Sequence, residues 1–231
     1  GADLMIYDVE NHCSFTDSLV YGDTYMETFP AWSPNGKDLY FTRAQGYQKG
    51  MPLDSIRYDL CKVSFDSSTE KLGAPEVLFQ ASAQSKSVSF PCISPDGKFL
   101  MFTLSDYGNF SIWHPESELY LMNLNSNEIR PLVEVNSDDV DSYHTWSSNG
   151  HWFVFSSKRM DGLWARPYFA SFTPETGETG KPFLLPQKDP LFYDNYTYTY
   201  NRPELIKEPV KNGKEFERII SQKAVQAVGK P

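Results

Sequence analysis

Apolar and polar residues follow a recurring outline along this chain: a short apolar run, a polar corner and a second apolar run. The outline is clearest at residues 90–103, and it occurs again at residues 29–42 and 143–156. The serines shared by the three segments, at positions 33, 94 and 147, are 61 and 53 residues apart. This spacing predicts a structural repeat whose units are separated by loops of variable length.

The polar corner of each unit has the composition of a tight turn. At residues 94–97 it is Ser-Pro-Asp-Gly, in which proline fixes φ, aspartate bonds nearby backbone and glycine accepts a positive φ. We therefore predict that the corner residues are structural and join two strands. They are Ser33, Pro34, Gly36, Ser94, Pro95, Asp96, Gly97, Ser147 and Gly150.

The run after each corner, at residues 39–41, 100–102 and 153–155, is apolar without interruption. Such a run is too apolar for a surface strand and indicates a strand that is covered on both faces. Sheets stacked on sheets bury strands in this way. Repeats with several strands each, at about this spacing, are typical of β-propeller blades, so the predicted fold class is an all-β propeller.

The repeated segments also resemble a known family. Residues 32–37 and 93–98 are similar to the Trp-Ser-Pro-Asp-Gly-Lys core of the WD40-like repeats in TolB-type β-propellers, whereas residues 146–151 lack the proline and the lysine. The resemblance covers roughly residues 3–186. It implies a non-enzymatic scaffold that mediates protein–protein interaction in the bacterial periplasm or cell envelope.

Residues 4–20 match the two outer strands of a blade, and a comparable strand pair follows each repeat core. We therefore predict three complete four-stranded blades plus a half blade over residues 1–200, and a C-terminal extension over residues 201–231. The half blade lacks two inner strands. We favour an upstream segment as their source, which makes the chain part of a larger propeller with open blade edges that permit self-association. The alternating tyrosines of residues 193–200 are the other candidate source.

The C-terminal extension carries a helical pattern over residues 213–228. Its apolar positions Phe216, Ile219, Ile220 and Ala224 recur at helical spacing, which predicts an amphipathic helix. This helix either packs across the blades or begins another domain. Acidic residues are mixed among its basic ones, which favours a solvated face over a binding patch. The basic residues are Lys211, Lys214, Arg218 and Lys223.

Composition excludes several classes of partner. Among 231 residues, 21 are Lys or Arg and 30 are Asp or Glu, and the resulting net charge of −9 repels phosphate backbones, so we predict no nucleic-acid partner. No apolar run approaches the roughly 20 residues that cross a bilayer, so we predict no integral membrane segment. The cysteines Cys13, Cys61 and Cys92 have no metal-binding spacing, and we predict buried thiols rather than a disulfide pair.

The sequence offers little for catalysis. It has no Gly-x-Ser-x-Gly elbow, no phosphate-binding glycine loop and no dinucleotide fingerprint, so we predict no catalytic residue and no cofactor. The scattered histidines and the acidic residues 136–141 do not match a metal motif, and we predict no metal site. The alternative function is a propeller domain of a hydrolase or carbohydrate-handling enzyme whose catalytic part lies outside this chain. Its marker is a cluster of His114, Asp141 and His144.

Three long connections between the second and third strands of the blades carry aromatic residues, at positions 45–52, 106–115 and 160–164. They should emerge on one rim of the propeller, where aromatic anchors among glycine, asparagine and serine suit protein or saccharide recognition. The other interpretation is that they fold back on the blades. We predict a rim site for another protein, with candidate residues Tyr47, Tyr107, Phe110, Trp113, His114, His144 and Trp164.

Overall fold

The computed structural model describes residues 2–209, 213–223 and 228–229. Its strands are β1 (Ile6–Asp8), β2 (Cys13–Phe15), β3 (Tyr25–Trp32), β4 (Asp38–Gln45), β5 (Asp59–Asp66), β6 (Lys71–Leu72), β7 (Glu76–Phe79), β8 (Ser87–Ile93), β9 (Phe99–Ser105), β10 (Glu118–Asn123), β11 (Ile129–Pro131), β12 (Asp141–Trp146), β13 (Trp152–Ser157), β14 (Arg166–Ser171), β15 (Phe183–Leu184) and β16 (Val228–Gly229). The α-helices are α1 (Phe192–Asn195) and α2 (Gly213–Ile220), and single turns of 3₁₀-helix occupy Leu53–Ser55, Ala81–Gln84 and Ser111–Trp113.

These strands form the predicted blades. Blade 1 has the order β3-β4-β5, with β6 and β7 both pairing with β5. Blade 2 is β8-β9-β10-β11 and blade 3 is β12-β13-β14-β15, each antiparallel throughout. The half blade is the antiparallel pair β1 and β2. The prediction of an all-β fold with three blades and a half blade is confirmed.

The corner serines occupy equivalent places in the three blades. In blade 2, the Ser94 hydroxyl donates to Asp96 Oδ1 at 2.6 Å and accepts from the Phe99 N–H at 3.0 Å. Ser33 and Ser147 make the same pair of bonds, donating at 2.7 Å and accepting at 3.0 Å. Both hydrogen-bonding functions of each hydroxyl are therefore used within its own corner.

A feature that the sequence did not predict is an irregularity in each innermost strand. Phe29, Phe90 and Tyr143 all have positive φ, between 53° and 54°, at the point where the strand register shifts. The rings of Phe29 and Phe90 lie 4.0 Å apart, and those of Phe90 and Tyr143 lie 4.8 Å apart, measured between centroids. Each bulge thus reorients one aromatic ring, and the three rings form a continuous row across the blades.

One apolar layer lies at each blade interface. Every residue of β9 is buried, because Leu100 and Phe102 face the core shared with blade 1 while Met101 faces the core shared with blade 3. The half blade packs on blade 1 through a third layer that includes Leu4 and Phe41. Each fully buried side chain of this size contributes roughly 1.5 to 3 kcal/mol, so the blade stack is held mainly by these layers.

The segment after blade 3 does not form the strand that was the second candidate for completing the half blade. Residues 193–200 do not form a strand with the half blade; they begin in α1 and then lie against blade 3, where the Tyr200 N–H donates to Ala165 O at 2.9 Å. Contacts with blade 3 continue past residue 200, since the hydroxyls of Ser156 and Thr145 donate to Asn201 O and Pro203 O, respectively. We call residues 193–203 the blade-3 strap.

The predicted tail helix is shorter than expected. Helix α2 ends at Ile220, and its apolar residues Phe216, Ile219 and Ile220 are exposed. Further along, β16 pairs in parallel with β2 of the half blade. Lys211 and Ala224, which the prediction counted among the basic and apolar residues of this helical segment, lie outside the described residues. In the described part of the chain, no helix has the length and apolar character needed to cross a membrane.

Candidate functional site

The position of the predicted rim follows from the direction of the strands. In an antiparallel blade, the corners lie at one end of the sheet, and the loops between the second and third strands lie at the other end. The connections from one blade to the next return to that second end. We call this end the loop rim; it contains the loops 46–58, 106–117 and 158–165 and the connections 80–86 and 132–140.

The first loop of the rim is anchored at both ends and exposed between them. At its start, Gly46 lies so close to backbone that a Cβ atom would stand 2.1 Å from Asp23 O, so only glycine fits. Near its end, the carbonyl of Ile56 accepts from the Gly108 N–H of the second loop at 2.8 Å. Between these points Tyr47 is 51% exposed and Leu53 is 70% exposed.

The second loop presents the most exposed aromatic side chains of the predicted set. Its single 3₁₀ turn buries Ser111 and Ile112, and Ile112 packs with Val140 and Ala165 of the neighbouring segments. Phe110 and Trp113 flank this buried turn and are 64% and 74% exposed. A buried anchor thus holds two aromatic rings at the surface.

The third loop supports the second. The ammonium group of Lys158, which is largely buried, lies 4.5 Å from the centre of the Trp113 ring, a cation–π distance. Trp164 is half-buried, and its backbone N–H donates to Asp161 Oδ1 at 2.9 Å. Trp164 therefore contributes less exposed surface than Phe110 or Trp113.

His114 lies beneath the rim rather than on its surface. Its Nδ1 is 3.1 Å from Glu116 Oε1, and its ring contacts that of Tyr107 edge-on, with 4.4 Å between centroids. The histidine is 9% exposed, whereas Tyr107 is 37% exposed. His114 therefore supports Tyr107 and is itself barely accessible.

His144 is a correction to the predicted rim set. It lies on β12, is fully buried and is 3.1 Å from Met101 O through its Nε2. Burial lowers its pKa to about 3, with smaller opposing effects from backbone hydrogen bonds. A neutral imidazole in the interface between blades 2 and 3 packs the blades and is inaccessible to a partner.

The three groups that would mark an enzyme do not meet. Asp141 is buried and pairs with Arg159, with 2.6 Å between Oδ1 and Nη2. Burial raises the pKa of this carboxyl, and the Arg159 charge opposes that shift. His114 and His144 are held by Glu116 and Met101 instead. Among the described residues, no group of three or more His, Cys, Asp or Glu side chains is arranged to hold a metal ion.

The cysteines are free thiols, two of them buried and Cys92 partly buried. Burial raises the pKa of Cys61 to about 11, an effect opposed by Arg43. A thiol in such a setting is unreactive at neutral pH.

A cavity that the sequence did not indicate opens on the same rim. Its volume is about 430 Å³, and it lies between the first loop and the connection from blade 1 to blade 2. Arg57 lines it together with serines from both segments. We call it the Arg57 cavity. Its residues come from positions 44–57 and 82–85. No short motif joins these two segments, so no sequence pattern indicated the cavity.

Comparison with known proteins agrees with the fold. No protein-family model and no curated protein matches the sequence. Among solved structures, an oligogalacturonate lyase in complex with manganese superposes with a TM-score of 0.57 and 15% identity, covering 81% of this chain and 49% of that one. TolB from Acinetobacter baumannii superposes with a TM-score of 0.47 and 22% identity, covering 78% of this chain and 37% of that one. For the β-propeller domain of the Trilobed protease from Pyrococcus furiosus, the TM-score is 0.41 and the identity is 14%, over 71% of this chain and 44% of that one.

The chain therefore spans less than half the length of each of these three structures. At these identities the similarity concerns the fold alone. The blade geometry itself shows the β-propeller architecture that the repeat predicted.

Proposed function

We propose that this protein is a non-enzymatic propeller scaffold that binds another protein through its loop rim. The observation that supports the proposal best is the second loop, where Phe110 and Trp113 stay 64% and 74% exposed beside a buried anchor. Exposed aromatic side chains on a well-anchored loop are the usual energetic centres of protein interfaces.

The anchoring matters because binding costs conformational entropy. A loop that must be ordered on binding loses roughly 0.5 to 1.5 kcal/mol for each immobilised side chain. The second loop is already fixed by the Gly108 N–H bond to Ile56 and by the Lys158 contact with Trp113. Its aromatic rings are thus presented with part of that cost met during folding.

The enzyme alternative depends on a marker that the described residues do not provide. Its predicted marker, a cluster of His114, Asp141 and His144, does not form, because each group is engaged by its own partner. The scaffold function is therefore the one we propose. We extend the proposal to the bacterial periplasm or cell envelope, since the resemblance of the repeats to TolB-type propellers implies that location.

A second copy of the chain is a further proposed partner. On the half blade, Met5, Tyr7 and Val9 expose an apolar face at 64%, 45% and 71%. Such a face next to an open strand edge favours self-association. Sedimentation velocity should show a concentration-dependent dimer that Tyr7→Ser weakens and that Val133→Ser, an exposed site elsewhere, leaves unchanged. A strictly monomeric chain at high concentration contradicts this part of the proposal.

Membership of a larger propeller stays a prediction.

The rim proposal is tested by matched variants. Immobilised protein is exposed to an extract of its source cells, and bound proteins are quantified for the wild type, for the double variant Phe110→Ser/Trp113→Ala, and for Phe183→Ser. Phe183 is 45% exposed on the outer strand of blade 3, so its replacement controls for the loss of an exposed aromatic residue.

We expect specific proteins that bind the wild type and Phe183→Ser equally and that the double variant recovers at least tenfold less. Equal recovery by all three proteins, with the double variant folded by circular dichroism, overturns the rim proposal.

A further inference from the structure

The Arg57 cavity is large enough for a small ligand and is lined by hydroxyl groups and by an arginine that has no carboxylate partner in the part of the chain that the structure describes. Its volume of about 430 Å³ is within the range of small ligand sites. It lies between the aromatic loop 46–58 and the connection 80–86, at the surface that we propose for protein binding. Polar and flexible side chains line it: Gln45, Met51, Ser55, Arg57, Ser82 and Ser85.

The Arg57 guanidinium is incompletely satisfied. Its Nη1 donates to Asp54 O at 3.2 Å, while its Nε is buried and has no acceptor among the described residues. None of the ion pairs found in the described part of the chain includes Arg57, although Arg159 and Arg166 each pair with an aspartate. In a chain with a net charge of −9, a half-buried arginine without a carboxylate is unusual.

The acidic residue two positions further along the chain, Asp59, is already engaged. Both carboxylate oxygens of Asp59 accept hydrogen bonds from Ser82, at 2.8 Å from its N–H and 3.0 Å from its hydroxyl. The Ser55 hydroxyl donates to Pro52 O. A buried cationic donor without an acceptor is costly. The guanidinium that carries it belongs to a residue that lines the cavity, where an anion would interact with its positive charge.

We propose that the Arg57 cavity binds a carboxylate, and specifically the Asp or Glu side chain of a protein bound on the loop rim. This inference rests on the proposed function. A planar guanidinium matches a carboxylate through two parallel hydrogen bonds, which gives orientation as well as affinity. The exposed side chains of Tyr47 and Leu53 on the same loop supply apolar contact beside the charge. Inorganic phosphate shares this chemistry and is the competing occupant.

Nitrogen-15 NMR of arginine side chains observes the atom in question directly. The Nε–H resonance of Arg57 is assigned by its loss in Arg57→Lys, and it is followed while N-acetyl-glutamate methylamide or inorganic phosphate is added at constant ionic strength. The same titrations are made on Lys49→Gln, which removes a positive charge from the exposed part of the same loop.

We expect a saturable shift of the Arg57 resonance with the glutamate probe at millimolar concentration, and an affinity in Lys49→Gln within twofold of the wild type. Arg57→Gln should abolish the probe's effect on neighbouring amide resonances. A shift that rises linearly without saturation, an equal loss of binding in Lys49→Gln, or binding of phosphate but not of the glutamate probe overturns the inference.

A second measurement separates this inference from the proposed function. Arg57→Gln and Lys49→Gln are added to the capture experiment, with Arg57→Lys as the variant that keeps the charge. We expect at least tenfold lower partner recovery for Arg57→Gln, an intermediate loss for Arg57→Lys and none for Lys49→Gln. If Phe110→Ser/Trp113→Ala abolishes capture but Arg57→Gln does not, the carboxylate inference fails and the rim function stands. If the glutamate probe binds while the aromatic variant captures normally, the rim function fails instead.

Discussion

At each corner of the repeat, one serine hydroxyl bonds twice and one glycine adopts a backbone angle that other residues avoid. Gly36, Gly97 and Gly150 have φ of 68°, 74° and 72°, and their N–H groups all donate to the preceding serine carbonyl at 2.9 Å. These local interactions depend only on neighbouring residues. That is why the corners are predictable from sequence.

Replacing Gly97 by Val should lower the free energy of unfolding by roughly 1 to 4 kcal/mol. No atom lies within 4 Å of the position that a Cβ would occupy, so the cost comes from the positive φ and not from a clash. Gly97→Asn is the control, because asparagine tolerates this conformation, and it should cost less than half as much. Urea denaturation measures both variants, and an unaltered midpoint in Gly97→Val contradicts the turn assignment.

A buried carboxyl on β3 makes stability depend on pH. Glu27 is 4% exposed, and burial raises its pKa to about 7, with Asp3 adding to the shift and Arg43 opposing it. The Cys61 thiol on β5 also interacts electrostatically with the Glu27 carboxyl. Because the folded-state pKa lies above the ordinary 4.5, the stability contributed by the protonated group is present below pH 4.5 and is lost as the pH rises through 7.

Glu27→Gln should therefore weaken the decline in melting temperature between pH 5 and pH 8. We expect the variant to melt roughly 2 to 4 °C above the wild type at pH 8 and close to it at pH 5. Differential scanning calorimetry at both pH values measures the difference, with Glu76→Gln on the exposed face of β7 as the control. A difference that is the same at both pH values contradicts the assignment.

At the scale of elements, the order of the strands was predictable and the segments that cover them were not. The apolar runs identified β4, β9 and β13, because burial on both faces leaves a continuous apolar signature. The sequence did not predict the bulges at Phe29, Phe90 and Tyr143, whose rings contact each other between neighbouring blades. The blade-3 strap was likewise missed, because its alternating tyrosines match a strand while its backbone groups bond to Ala165 and to the hydroxyls of Thr145 and Ser156 in blade 3.

Arg166 should hold the strap in place. This arginine is 2% exposed and donates to Tyr193 O at 3.1 Å and Tyr198 O at 3.3 Å. Arg166→Met should raise the hydrogen-exchange rate of the Tyr200 N–H at least tenfold without changing that of the Phe99 N–H in the blade-2 corner. Arg130→Met is the control, since Arg130 donates to Gly177 O away from the strap. Equal protection of Tyr200 in all three proteins contradicts this function of Arg166.

For the whole molecule, the sequence predicted which end of the blades carries long aromatic loops, but not how each side chain lies there. Phe110 and Trp113 project from the rim, yet His114 lies beneath it and His144 belongs to the blade interface. The difference arises because loop position follows from strand order, whereas exposure depends on packing between loops of different blades. Arg57 had no sequence signal for the same reason.

Site-specific photo-crosslinking tests the binding of another protein at the loop rim most directly. A benzophenone amino acid replaces Phe110 in one protein and Phe183 in another, and each is irradiated in source cells or their extract. We expect crosslinks from position 110 to a different protein, and none to that protein from position 183. Crosslinks that are absent at 110, or equal at the two positions, would contradict it.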